Sequence, residues 1–154
     1  PSMGAVGPSG IFLGCPARPL KSGGKVDSSV YFKETSVSNG QIEWKFSLKG
    51  EEFVNVACGS GWAAAGTSSR LVYFMNSVSG MQRAVLPIPG DIVTMAASNE
   101  WLAVFYHRAP PMYVGRGIGD QQVSVKLIDV AALLGWTNGR GPKKEGHYSR
   151  PLNV

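Results

Sequence analysis

Residues 53–107 read FVNVACGSGWAAAGTSSRLVYFMNSVSGMQRAVLPIPGDIVTMAASNEWLAVFYH. Four short apolar runs, at 53–58, 62–67, 71–75 and 82–86, are separated by Gly59-Ser60-Gly61, by Ser68-Ser69 and by residues 76–80. Each run is too short for a helix and is bounded by turn residues, so each predicts a strand. The pattern then restarts. Residues 91–97 match 53–58 and residues 101–106 match 62–67, at offsets of 38 and 39 residues, with a tryptophan opening the second strand both times. Residues 123–130 supply a third strand of the new unit. A four-strand unit recurring at about 40 residues is the sequence form of a β-propeller blade. Because a blade packs against neighbours on both faces, AAAG and AVFY read as nearly continuous apolar runs instead of strict alternation. A β-sandwich would also give short strands and turns, but not this restart.

Upstream, GIFLG (10–14) and SVYFK (29–33) are strand-like, and Ser38-Asn39-Gly40 leads into QIEWKFSL (41–48). Asn-Gly between two such runs predicts a hairpin, since a type I′ turn needs positive φ at both central residues. The expected fold is all-β: a β-propeller fragment of about three blades, each a four-stranded antiparallel meander, two of them incomplete. The blades are placed at 10–48, 53–86 and 91–130, as the last three strands of one, one whole, and the first three of a third. DVAALL (129–134) hints at a short helix that Gly135 stops, and residues 131–154 read as a basic loop or linker.

The formal charge of +5 is unevenly placed. Residues 1–52 hold six basic and five acidic side chains and residues 53–129 hold five and four, so the last 25 residues supply +3, through Arg140, Lys143, Lys144 and Arg150 against Glu145. A nearly neutral body argues against a body-wide nucleic-acid groove, which needs clustered cations on one face. The basic segment leaves a nucleic-acid-binding module as the alternative function, with DNA contact weak or indirect. Trp44, Trp62 and Trp101 lie on strands and are expected to pack between blades. Trp136 lies outside them, and with Arg140, Lys143, Lys144 and Arg150 it forms the candidate partner-contact set.

No catalytic, cofactor or metal site is legible. Gly59-Ser60-Gly61 is followed by a strand, where a dinucleotide loop needs a helix N-terminus. Gly115 to Gly119 lies in a Pro/Gly loop, and Ser22-Gly23-Gly24-Lys25 lacks the spacing of a phosphate loop. His107 and His147 stand forty residues apart. Cys15 and Cys58 are too few for a disulfide framework or a zinc site and read as small buried hydrophobes of a reducing compartment. Glu51-Glu52 reads as a solvated turn between blades. No apolar run reaches the roughly 20 residues of a membrane-spanning helix. Pro1-Ser2-Met3-Gly4 has no signal-peptide character and reads as a cut within a longer polypeptide.

At GSGWAAAGTSSRLVYF, SGMQRAVLPIPGDIVTMAAS, WLAVFYHR and DQQVSVKLIDV the chain resembles the WD-repeat and HMG-box DNA-binding proteins, also called acidic nucleoplasmic DNA-binding proteins, whose fungal member is chromosome transmission fidelity factor four. The likeness is to their second, SepB-type propeller, from about Ile42 to Val130. It implies a nuclear replication scaffold, trimeric through this propeller, that links the replicative helicase to DNA polymerase alpha-primase and supports sister-chromatid cohesion. The other blades of its own propeller are implied partners. The Pro/Gly-rich loop at 109–119 and the insertion at 15–26 depart from the family.

Overall fold

The computed structural model describes residues 1–35, 42–110 and 121–135, together with the backbone of 147–151. The strands are β1 (Met3–Gly7), β2 (Gly10–Cys15), β3 (Arg18–Pro19), β4 (Lys25–Val26), β5 (Ser29–Glu34), β6 (Glu43–Ser47), β7 (Phe53–Cys58), β8 (Trp62–Thr67), β9 (Leu71–Asn76), β10 (Gln82–Pro87), β11 (Ile92–Ser98), β12 (Trp101–His107), β13 (Val123–Asp129) and β14 (His147–Pro151). One short helix, α1 (Val130–Leu133), follows β13. Three four-stranded antiparallel sheets result, with orders β1-β2-β5-β6, β7-β8-β9-β10 and β11-β12-β13-β14. Each is a meander, here called blades 1, 2 and 3. The first strands of the three blades lie side by side, β7 against both β1 and β11, so the later strands step outward from a common axis. That is propeller geometry.

The expected fold class holds, and blade 2 has the anticipated strands. The outer blades are each one strand richer than the sequence suggested. β1 reads MGAVG, whose glycines look like a turn; its strand character comes from its ladder with β2, from Met3↔Gly14 to Gly7↔Gly10. β14 lies within the stretch expected to be a loop or linker, and pairs with β13 from Ser124↔Pro151 to Ile128↔His147. The pattern of apolar side chains carries no sign of a strand that is held by backbone pairing. The Ser38-Asn39-Gly40 turn lies outside the described residues, although β5 and β6 pair antiparallel on either side of it. Asp129 caps α1 by accepting the Ala132 N–H at 3.1 Å, and Gly135 at φ 69° follows its end, as the sequence predicts.

Two apolar layers hold the blades together. Between blades 1 and 2 lie Phe12, Val30, Phe32, Phe53, Val56, Ala63, Ala65 and Met75. Between blades 2 and 3 lie Trp62, Ala64, Val72, Phe74, Met95, Leu102, Val104 and Ile128. Alternate residues of β8 therefore enter opposite layers, and this is why AAAG is apolar without a break. The run must also be small: a Cβ on Gly66 would stand 2.9 Å from Ile92 Cδ1 of the next blade. Buried Ser28 ties blade 1 to blade 2, its hydroxyl donating to the Cys15 carbonyl (3.1 Å) and accepting the Phe53 N–H (3.0 Å).

Candidate interaction surfaces

β8 and β12 occupy the same place in successive blades, and their leading tryptophans meet different fates. Trp62 is fully buried; its ring lies 6.3 Å from that of Phe74 and its Nε1–H donates to the Asn99 carbonyl of blade 3 at 2.9 Å. The Ser60 N–H donates to the same carbonyl at 2.8 Å. Asn99 adopts a left-handed conformation, φ 49°, at the β11–β12 turn. Gly59 has to be glycine, because a Cβ there would overlap the Trp62 ring and the Asn99 carbonyl. Trp101 was expected to pack between blades as Trp62 does. It remains 44% exposed beside a recess of about 470 Å³ that it forms with Ser60, Asn99 and Glu100.

The reason is positional. Leu102, Val104 and Tyr106 of β12 face blade 2, whereas Trp101, Ala103 and Phe105 point the other way, where no blade stands among the described residues. Their cross-strand neighbours Leu127 and Val125 continue this face, with Leu127 41% exposed. His107 lies along the same side of β12, and its Nδ1 is buried without a hydrogen-bond partner among the described residues. The far side of blade 1 is more polar toward its rim. There Glu43 accepts from Tyr31, which together with Lys33 at 3.1 Å holds its carboxyl below the usual carboxylate range. Val6, on the first strand of that blade, is 80% exposed.

Of the sequence-nominated contact residues, Trp136, Arg140, Lys143 and Lys144 lie outside the described residues. Arg150 sits opposite Val125 in β14, in the outermost strand of blade 3 and not in a loop. Trp44 does pack between blades, stacked on Phe32 (5.3 Å), against Gly80 and donating to the Ser77 carbonyl at 2.8 Å. The Glu51-Glu52 turn is not simply solvated: Glu52 accepts the Ala17 N–H at 3.1 Å, and Glu51 Oε2 is buried. The insertion at 15–26 is an ordered two-stranded arm made by β3 and β4. The loop at 109–119 falls mostly outside the described residues.

Cys58 is buried, and desolvation pushes its thiol up to about 11 from 9.0. The unfolded chain then releases this proton at lower pH than the folded one, so the associated stability is intact below about pH 9 and lost as pH rises toward 11. We expect chemical denaturation to show an alkaline loss on the order of 2 kcal/mol across this window that is absent in Cys58→Ala. Equal slopes in the two proteins would contradict the assignment.

Stacked blades, inner strands sharing an axis and an open apolar blade face define a propeller segment of the repeat-built, WD-repeat-like class. The chain belongs to the family described as minichromosome loss protein, Mcl1, middle region, whose family model matches residues 1–137. It is 30% identical over 131 residues to mouse WD repeat and HMG-box DNA-binding protein 1, covering 84% of this chain and 11% of that one. The human protein of that name is 32% identical over 122 residues, covering 78% and 10%. Arabidopsis Protein ENHANCER OF LHP1 1 is 42% identical over 65 residues, covering 42% and 7%. The chain thus spans about a tenth or less of the length of these relatives.

Proposed function

We propose that these residues are part of a nuclear, non-catalytic interaction platform that serves DNA replication, and that further blades of the same propeller cover their open faces. The observation that carries the reading is the pair Trp62 and Trp101. One is sealed by the turn of the following blade; the other presents the same side chain at the same place in the repeat, with no blade over it among the described residues. In this reading a fourth blade supplies a carbonyl for Trp101, as Asn99 does for Trp62. Membership of the Mcl1 family supports the link to chromosome maintenance.

The finer proposal follows the family resemblance. The intact protein is a homotrimer that joins the replicative helicase to DNA polymerase alpha-primase and supports sister-chromatid cohesion, with any contact of Arg140, Lys143 and Lys144 to DNA weak or indirect. To test it, the intact protein is purified from S-phase nuclei, its mass measured by light scattering, and helicase and polymerase alpha-primase subunits quantified in the eluate. We expect three times the monomer mass and co-purification of both assemblies. We also expect both to fall at least about tenfold when Trp101→Glu and Leu127→Glu are combined, since charges buried in a blade interface are strongly destabilising. A monomer, or recovery of neither assembly above the background of a tag alone, would sink the scaffold reading.

A further inference from the structure

The internal repeat provides a control for what a blade needs. Blade 2 joins its second and third strands through residues 68–70, a three-residue turn. Blade 1 makes the equivalent connection through residues 16–28, and most of that excess is the β3–β4 arm. The meander does not require the arm, yet the arm is built with care. Its base is held by the Ser28 hydroxyl between Cys15 and Phe53 and by the Ala17 N–H on Glu52. Its tip closes when Leu20 N–H donates to Gly24 O (2.7 Å) and Gly23 N–H to Leu20 O (3.1 Å), with Gly23 at φ 89°. Pro16 and Pro19 restrict the rising strand.

The arm carries Arg18, Lys21 and Lys25, all exposed, and none is paired with a carboxylate among the described residues. Between the first two of these cations stands Leu20, 44% exposed. The ladder pairs Arg18 with Val26 and Pro19 with Lys25, so the two strand cations lie on opposite faces, with Lys21 and Leu20 at the tip. We propose that this arm is a docking site for a short acidic peptide segment of a partner protein, one with an apolar residue among its carboxylates. Charge complementarity selects an acidic ligand. Two features favour a peptide over a nucleic acid. The tip offers an apolar contact amid its charges, which a phosphate lattice rewards little. Asp27 and Glu52 at the base also confine the positive field to the arm, and a long polyanion would meet repulsion beyond it. This extends the platform reading and is independent of the process the platform serves.

The test is fluorescence anisotropy of the protein with a labelled DDLDDLDD octapeptide and, separately, with a short labelled DNA duplex. We expect the peptide to bind and Arg18→Glu/Lys21→Glu/Lys25→Glu to weaken it by about tenfold or more, with the melting temperature unchanged. Lys21→Glu alone, at the tip and clear of the anchored base, should cost about threefold, and Leu20→Ala a similar factor at constant charge. Unaltered peptide binding by Lys21→Glu and the triple variant would overturn the proposal. So would a duplex that binds more tightly than the peptide and loses its affinity in the same variants, which would make nucleic acid the ligand.

Discussion

Trp62→Ala should destabilise the protein by about 3–5 kcal/mol, enough to consume much of the stability of a typical domain. The indole is fully buried in the layer between blades 2 and 3, against Phe74 and beside Gly59. Its removal leaves a cavity and takes away one of the two N–H groups that converge on the Asn99 carbonyl. Trp62→Phe keeps most of the ring and loses the donor, so it should cost about 1–2 kcal/mol. Trp101→Ala in the 154-residue chain, measured at dilutions where it is monomeric, should cost less than about 1 kcal/mol, because that ring is then still half in water. Urea denaturation of the three variants checks the order. Equal losses at Trp62 and Trp101 would mean that Trp101 is already covered.

The 154-residue chain studied by itself should self-associate at micromolar concentration. The face of blade 3 around Trp101, Phe105, Val125 and Leu127 is apolar and partly open, and Val6 adds exposed apolar surface on blade 1. Each 100 Å² of apolar surface removed from water contributes about 2.5 kcal/mol, and large open apolar patches are rare on soluble monomers. Light scattering should give a mass well above the monomer that falls on dilution. Combining Trp101→Glu and Leu127→Glu should shift the equilibrium to monomer by at least about a hundredfold in concentration, since two desolvated charges would be needed to restore the contact. A monodisperse, cooperatively melting wild-type monomer would show that the open face needs no partner.

The blade repeat was legible because a strand buried on both sides has to be apolar throughout and has to end in turn residues. Blade 2 meets both conditions, and its strands fall where the sequence places them. Strands β1 and β14 were not legible, since a glycine-rich inner strand and a polar outer one owe their existence to backbone ladders. Trp136 stands out in the sequence only as a tryptophan outside the strands, and the basic contact candidates stand out through net charge, which registers cations and not their setting. Arg150 lies in a strand, whereas the cations of the arm leave no signal in the net charge, because nearby acids balance them along the chain.

By itself, then, the sequence determined the period, the strand-turn alternation and the pairing of Trp62 with Trp101 as equivalents. These depend on local propensity and on burial averaged over a repeat. Only the tertiary structure decided that one of the two is sealed and the other open, that Ser28 clamps two blades, and that a loop is a two-stranded basic arm. Those outcomes depend on which blade stands beside which, and equivalence along the chain carries no information about whether a neighbour is present in space.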